Sequence, residues 1–244
     1  RAAQRNLNSA LGQPELIPER IKSYGGRGRV YEELGLVTAD MPLPQDEPVP
    51  TKIRNIQIGL SHFEKAIEDY DQALVNLSAE IYTPAQLTQR RLRTIGMRAP
   101  KARDLFELVS DEPEKKEWIG KAVEYATQEV QEREKLGETQ GQNLASAYHT
   151  LGQALTETVA LTPENYERTK ETFDKAAAVP GVAENTKITL NLRRAWLEYR
   201  KDSSNKLDIS TYLDVFLGGM DTLTGADKNA LNKRVLELAT HLGE

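Results

Sequence analysis

Residues 63–74 read FEKAIEDYDQAL, and residues 169–177 read TKETFDKAA. Each stretch contains a small residue, then an aromatic residue four positions later and an alanine three positions after that. The two sets are Ala66, Tyr70 and Ala73, and Thr169, Phe173 and Ala176. At 3.6 residues per turn, these three positions share one face of a helix. The two rings, Tyr70 and Phe173, lie 103 positions apart. That spacing is one residue more than three periods of about 34 residues, a period typical of stacked helical hairpins.

The composition is that of a globular protein without thiol chemistry. Of the 244 residues, 39% are hydrophobic and 28% are charged, and the net charge is −5. This mildly acidic balance argues against a general nucleic-acid binder, which needs a basic surface. The sequence contains no cysteine, which excludes disulfides, thiol catalysis and cysteine-ligated metal sites.

The sequence does not predict where the protein resides. No apolar run approaches the roughly 18–20 residues of a membrane-spanning helix, so we expect no membrane span. The sequence begins with Arg1 and not with methionine, so a targeting segment removed by processing stays open.

Residues 1–50 are predicted to form an N-terminal arm, because they contain six of the 11 prolines. Each proline removes a backbone donor and moves its predecessor out of the helical region, so residues 41–50 are expected to be extended. The glycine-rich residues 25–28 are expected to form a flexible turn, since glycine is unfavourable inside a helix. Short helices are expected at residues 2–11, 18–24 and 29–35. We expect the arm to lie on the helical body or on a neighbouring subunit.

Residues 51–244 are predicted to be helical throughout and to contain no strand. Apolar residues follow one another in steps of three and four from Ile53 to Ile81. This seam indicates one long helix across most of residues 51–82. Gly59 and Ser61 favour a helical hairpin that breaks at these residues instead, and the sequence leaves both arrangements open.

Turn signals divide the remaining sequence into further helices. The Thr-Pro pairs at 83–84 and 162–163 each supply an N-cap and a proline in the first turn. Glycine and proline residues near positions 96, 113, 137 and 180 are the expected ends. The predicted helices cover residues 84–96, 99–109, 114–136, 142–161, 163–178, 183–200, 208–223 and 226–242.

Residues 63–74 resemble the second helix of a tetratricopeptide repeat (TPR), in which Ala66, Tyr70 and Ala73 match the small–aromatic–alanine pattern. A second, more degenerate match has the first-helix start Tyr148, Leu151 and Gly152 and the second-helix end Phe173, Ala176 and Pro180. A faint third match is Ala102, Phe106, Val109 and Pro113. The resemblance covers roughly half of the chain and implies an all-α, TPR-like α-solenoid of antiparallel helical hairpins.

This resemblance implies a function in binding. Repeat arrays usually hold partners, so we expect a non-enzymatic protein-binding scaffold or an assembly subunit of a larger complex. The alternative is a helical enzyme, or a domain that senses a small ligand or peptide in a concave pocket. His62, His149 and His241 show no metal-ligand spacing, and acids alternate with bases along the helices. We therefore expect no metal, no cofactor and no catalytic residue.

One uneven charge cluster supplies the candidate partner-binding residues. No acid interrupts residues 84–103. The cluster consists of Arg90, Arg91, Arg93, Arg98, Lys101 and Arg103. Spread over two predicted helices and their connecting turn, these cations are suited to an acidic segment, a carboxylate terminus or a phosphate. The alternative is intramolecular pairing with the acidic stretches at 107–117 or 124–134.

A second, smaller candidate site consists of Asn191, Arg193 and Arg194. In tetratricopeptide repeats, asparagine and basic residues of first helices often line the concave peptide groove. The resemblance therefore implies that these three residues contact the partner.

Overall fold

The computed structural model describes residues 23–40, 48–158 and 162–202, with seven isolated positions after residue 202. Every element in these three ranges is helical, so this part of the chain is all-α. A 3-10 turn, Leu77–Ala79, separates the second and third helices. The helices are α1 (Tyr24–Ala39), α2 (Val49–Val75), α3 (Pro84–Leu108), α4 (Glu112–Lys135), α5 (Gln142–Thr156), α6 (Pro163–Ala178) and α7 (Glu184–Lys201). The predicted helix at 2–11 lies outside the described residues, as do most of the predicted helices at 18–24, 208–223 and 226–242 and most of the predicted extended segment at 41–50.

The predicted flexible turn at residues 25–28 is wrong, because these residues form the start of α1. Ser23 caps the helix, and its hydroxyl accepts a hydrogen bond from the Gly26 N–H at 3.1 Å. Gly28 and Gly35 lie on the side of α1 that packs antiparallel against α2. A Cβ atom on Gly35 would lie 2.4 Å from the Phe63 ring, so the missing side chain makes room for an aromatic ring. This close packing stabilises glycines that are unfavourable in an isolated helix.

The seam from residue 51 forms one long helix, α2, which begins at Val49 and ends at Val75. The hairpin alternative is therefore excluded, and the last two residues of the seam, Leu77 and Ile81, lie beyond the helix. Gly59 does not break the helix. A Cβ atom there would lie 2.6 Å from the Cβ of Ala39, so Gly59 allows α1 to approach closely.

The prediction of two helices, at 84–96 and 99–109, is wrong, because these residues form one continuous helix, α3. Thr83 and Gln86 form a reciprocal capping box at its start. Gly96 lies against the Glu129 carboxylate of α4, and a Cβ atom there would be 2.6 Å from Oε1. Pro100 removes one helical hydrogen bond, which costs about 3 kcal/mol. An apolar face offsets that cost, because six apolar α3 residues are 0–1% exposed: Leu87, Leu92, Ile95, Ala99, Ala102 and Leu105.

The later helices begin and end close to their predicted positions. Thr162 caps α6, and its hydroxyl accepts a hydrogen bond from the Asn165 N–H at 3.2 Å. Gly137, just after α4, has a φ of +74°, which favours glycine. The exception is α5, which ends at Thr156 although the sequence predicted residues 142–161.

The chain divides into two compact units, an N-terminal unit of residues 1–129 and a C-terminal unit of residues 130–244. The N-terminal core brings Tyr31 and Leu34 of α1 against Tyr70 of α2 and Leu87 of α3. The C-terminal core is formed by Tyr166, Phe173, Ala176, Leu190 and Leu197. The motif residues Ala66, Tyr70, Ala73, Phe173 and Ala176 are all 0% exposed, so the helical face that each motif predicts is a buried face.

Candidate partner-binding face

Within the N-terminal unit, α1 and α3 contact each other through pairs of side chains along their length. Interaction with Tyr82, which precedes α3, raises the pKa of Arg29 above its ordinary value. Glu32 accepts a hydrogen bond from Arg90, and Lys101 pairs with Asp40 at the far end. From the first pair to the last, the residue numbers increase on both helices, so α1 and α3 run parallel. We define the α1–α3 face by the positions that share this side: Arg29, Glu32, Leu36, Asp40, Arg90, Arg93, Met97 and Lys101.

The buried carboxylate of Glu32 lies at the centre of the α1–α3 face, and its side chain is 1% exposed. Its Oε2 accepts hydrogen bonds from the Tyr70 hydroxyl at 2.7 Å and from Arg90 at 3.3 Å. Burial, followed by the charge of Glu32, raises the pKa of Tyr70, so the hydroxyl stays protonated as a donor. Glu32 thereby joins α1, α2 and α3.

Arg93 is held to Glu32 less closely than Arg90 is. The Arg93 Nε lies 3.6 Å from the Glu32 Oε1, beyond hydrogen-bond distance, and 62% of the Arg93 side chain is exposed. Oε1 accepts no hydrogen bond from the described residues. The α1–α3 face therefore combines a firmly bound arginine with one whose guanidinium lies mostly in solvent.

The remaining predicted cations point away from this face, because one continuous α3 turns them to different sides. Arg91 pairs with Asp71 of α2 at 2.5 Å, and Arg103 lies 3.7 Å from Glu107 of its own helix. Arg98 is buried, donates to Gln128 at 2.5 Å and stacks 4.2 Å above the Tyr125 ring of α4. Lys101 also bonds Asp104.

The pairing partners match the sequence expectation in part, because Arg103 pairs with Glu107 of the acidic stretch at 107–117. Further acids that pair with the cluster lie outside both stretches: Glu32 of α1, Asp40 at its C-cap, Asp71 of α2 and Asp104 of α3. A partner-binding role of the cations stays a prediction, and on the α1–α3 face it applies to Arg90, Arg93 and Lys101.

The second candidate, Asn191, Arg193 and Arg194, lies on α7 of the C-terminal unit. Thr186 and Arg200 of α7 contact α5, through Gln142 at 2.6 Å and Glu157 at 3.6 Å. Arg193 is seven residues from each of them and therefore lies on the same side of α7. Arg194 pairs instead with Asp174 of α6 at 2.5 Å. The two arginines thus lie on different sides of the helix, and their role in binding stays a prediction.

Glu32 is not among the predicted site residues, because its sequence context placed it in an arm outside the helical body. The available signal was a series of small residues on one side of α1, Gly25, Gly28, Gly35 and Ala39, whose helical spacing includes position 32. An acid within such a series faces the neighbouring helix of the same unit and therefore needs a buried hydrogen-bond donor.

The described residues form a cleft, but they supply no candidate metal site and no membrane-spanning helix. No group of three or more histidine, aspartate or glutamate side chains is placed to hold a metal ion among them. None of the described helices is both long and apolar enough to span a membrane. A cleft of about 410 Å³ opens beside α2 and the end of α3. It is lined by Ala39, Asp40, Lys52, Asn55, Ile56, Asp104, Glu107 and Leu108.

No protein-family model, curated protein or solved structure matches this chain. The resemblance to tetratricopeptide repeats therefore rests on the sequence motifs alone and stays a prediction.

Proposed function

We propose that the chain is a non-enzymatic, protein-binding subunit of a larger complex, built as a TPR-like array of antiparallel helical hairpins. One observation carries the proposal: both units contain the same joint between the helices of a hairpin. A Cβ atom on Gly28 would lie 2.9 Å from the Tyr70 ring, and one on Gly152 would lie 2.4 Å from the Phe173 ring. The two rings are those of the small–aromatic–alanine motifs, so sequence repeat and packing repeat coincide.

The α1–α3 face is the surface that we assign to the partner. Its apolar positions, Leu36 and Met97, are half-buried, and Arg93 extends into solvent beside them. A guanidinium has five N–H donors and binds a carboxylate through two of them. Glu32 holds Arg90 in place, so the cationic surface is fixed before a partner arrives.

The test is capture of proteins from the native source by the full chain, compared between the wild type and Arg93→Glu. Arg54→Glu is the matched control, since Arg54 is an exposed arginine of α2. A specific partner should bind about tenfold more weakly to Arg93→Glu, and its affinity for the wild type should fall with added salt. If no protein binds saturably, or if both variants bind alike, the proposal is wrong.

A second candidate function is binding of a small ligand or peptide in the cleft of about 410 Å³. Its volume lies within the roughly 300–1,000 Å³ of ligand pockets. Asp40 and Asp104 at its rim both pair with Lys101, so polar groups converge there. A thermal-shift screen of metabolites and short peptides tests this candidate. A hit whose stabilising effect disappears in Asp104→Asn, and persists in Arg93→Glu, favours the cleft over the α1–α3 face.

A further inference from the structure

The connection between α2 and α3 exposes aliphatic side chains. Val75 is 78% exposed, Leu77 is 42% exposed and Ile81 is 81% exposed. We call residues 75–82 the tip. Isolated surface aliphatics are ordinary, whereas three within seven positions on one connection form a patch typical of interaction sites.

The tip is held in one conformation by backbone and side-chain contacts. Asn76 N–H donates to the Gln72 carbonyl at 3.0 Å, and Glu80 N–H donates to the Leu77 carbonyl at 3.1 Å. Tyr82 packs against the N-terminal core, and the Thr83 capping box follows directly. A fixed surface loses little conformational entropy on binding, which favours a role in recognition.

The tip presents no outward carboxylate, although it contains an acid. Glu80 is its one charged residue. The Glu80 Oε2 accepts hydrogen bonds from the Ser23 hydroxyl at 2.6 Å and from the Gly25 N–H at 3.0 Å. The carboxylate therefore faces the N-terminus of α1, where the helix dipole stabilises a negative charge.

Cations border the tip on the side of the α1–α3 face. The Arg90 guanidinium lies 5.5 Å from the centre of the Tyr82 ring, and interaction with Tyr82 raises the pKa of the neighbouring Arg29. Arg29 is exposed, and Arg93 follows Arg90 by one turn of α3. Tyr82 thus places the end of the tip beside Arg29 and Arg90, and the tip itself adds no exposed acid there.

We infer that the tip docks an acidic amphipathic segment of a partner protein. Aliphatic side chains of that segment pack on Ile81 and Val75, and its carboxylates face Arg29. The inference rests on the proposed partner-binding function and names the chemistry of the partner. A short segment meets only the local cations, since charges beyond about 8 Å are screened at physiological salt. An extended anionic membrane would instead face a molecule whose net charge is −5.

The test starts from a phage-displayed library of random peptides, each about 16 residues long, selected on the immobilised full chain. We expect enrichment of peptides that combine Asp or Glu with Leu or Ile. A labelled synthetic copy is then titrated against Ile81→Ser and Arg29→Glu, each of which should weaken binding about tenfold. Ile58→Ser and Arg54→Glu are the matched controls, because Ile58 is 38% exposed and Arg54 is exposed, both on α2. Their affinities should stay within about twofold of the wild type.

The inference is overturned if no peptide is enriched, if the enriched peptides are basic or uncharged, or if Ile58→Ser weakens binding as much as Ile81→Ser. It is also overturned if the chain binds phosphatidylglycerol vesicles through Ile81 but binds no acidic peptide. If the wild type and Ile81→Ser capture the same partner equally well, the tip is not its binding site, and the proposed function still stands. Failure to capture any partner refutes the proposed function itself.

Discussion

The N-terminal and C-terminal units contain the same glycine–aromatic joint but differ in the polar groups beside it. In the N-terminal unit the ring belongs to Tyr70, whose hydroxyl donates to the buried Glu32 at 2.7 Å. In the C-terminal unit the ring belongs to Phe173 and carries no hydroxyl. The neighbouring threonines there bond to carbonyls of their own helices, as Thr169 does with Asn165 at 2.6 Å and Thr172 with Arg168 at 2.7 Å.

The difference shows how one apolar joint accommodates two kinds of polar surroundings. The N-terminal unit connects three helices through a buried charge, so loss of one partner leaves the others unsatisfied. The threonines beside the C-terminal joint are satisfied within their own helix, so packing at this joint depends less on charge. The chain has two tryptophans, Trp118 in the first unit and Trp196 in the second. Each single-tryptophan variant therefore follows unfolding from a probe within one of the two units.

Glu32→Ala should have the largest effect. Removal of one partner from a buried charged cluster costs about 3–5 kcal/mol, because Arg90 and the Tyr70 hydroxyl lose their acceptor. Urea unfolding followed at Trp118 in a Trp196→Phe background should show this loss. The transition followed at Trp196 in a Trp118→Phe background should be unchanged.

Asp174→Ala is the control in the C-terminal unit. It breaks the ion pair with Arg194, in which the Asp174 side chain is 54% exposed, so the cost should stay below about 1 kcal/mol. If Glu32→Ala costs no more than Asp174→Ala, the two units do not differ in their dependence on charge.

Exchange of the two aromatic residues sharpens the comparison. Tyr70→Phe removes a hydrogen bond to a buried carboxylate and should cost about 1.5–3 kcal/mol. Phe173→Tyr introduces a hydroxyl where Phe173 is 0% exposed, and an unsatisfied buried hydroxyl costs about 1–3 kcal/mol. Both losses are read at the tryptophan of the same unit. A neutral Phe173→Tyr would mean that the C-terminal joint also has a polar acceptor within reach.

Substitution of glycines in α1 and α5 tests the close packing against an aromatic ring that the two units share. Gly35→Ala and Gly152→Ala each place a Cβ atom 2.4 Å from an aromatic ring, so each should cost about 1–3 kcal/mol by overpacking. Gly120→Ala is the control, since a Cβ atom there meets nothing within 4 Å. It should stabilise α4 by about 0.5–1 kcal/mol. Equal stabilisation by all three substitutions in thermal melts would show that the joint is not tightly packed.

Local signals allowed the sequence to predict α4, α6 and α7. Thr162 and Pro163 fix the start of α6 through a cap and a preset φ, and neither depends on another helix. The all-α class and the burial of Tyr70 and Phe173 followed from helical periodicity in the same way. The solenoid arrangement implied by the resemblance stays a prediction.

The errors concern residues whose role depends on a second helix. Gly28 and Gly96 appeared to be helix breakers, but each makes room for a neighbouring helix. The pairing of the charge cluster also depends on a second helix, because Arg90 donates a hydrogen bond to Glu32, an acid 58 positions away. Such pairing between distant segments follows from tertiary packing and leaves no local pattern in the sequence.

The last prediction concerns the pH dependence of the N-terminal unit through His62. This side chain is 9% exposed, and its ring lies 6.0 Å from the Tyr31 ring of α1 at an angle of 22°. Its Nδ1 accepts or donates no hydrogen bond among the described residues. Burial, and then the charge of Lys65, lower the pKa of His62 below its ordinary value of 6.5.

The unfolded chain therefore binds a proton at His62 more readily than the folded unit does. The stability that this residue contributes is present above pH 6.5 and is lost as the pH falls through 6.5 towards the folded pKa. The charged groups beside the Tyr31 ring are Arg27, Lys65 and Asp69. Burial raises the pKa of Asp69 above its ordinary 3.8, so that carboxyl favours the folded state at low pH and its effect has the opposite sign.

Urea midpoints followed at Trp118 between pH 7.5 and 5 should fall in the wild type and stay nearly flat in His62→Gln. The midpoints followed at Trp196 serve as the internal reference, because they report the other unit. If His62→Gln loses as much stability as the wild type over this range, protonation of His62 is not what weakens the contact between α1 and α2. If its midpoint falls less, the Tyr31–His62 contact makes the N-terminal unit sensitive to mild acid.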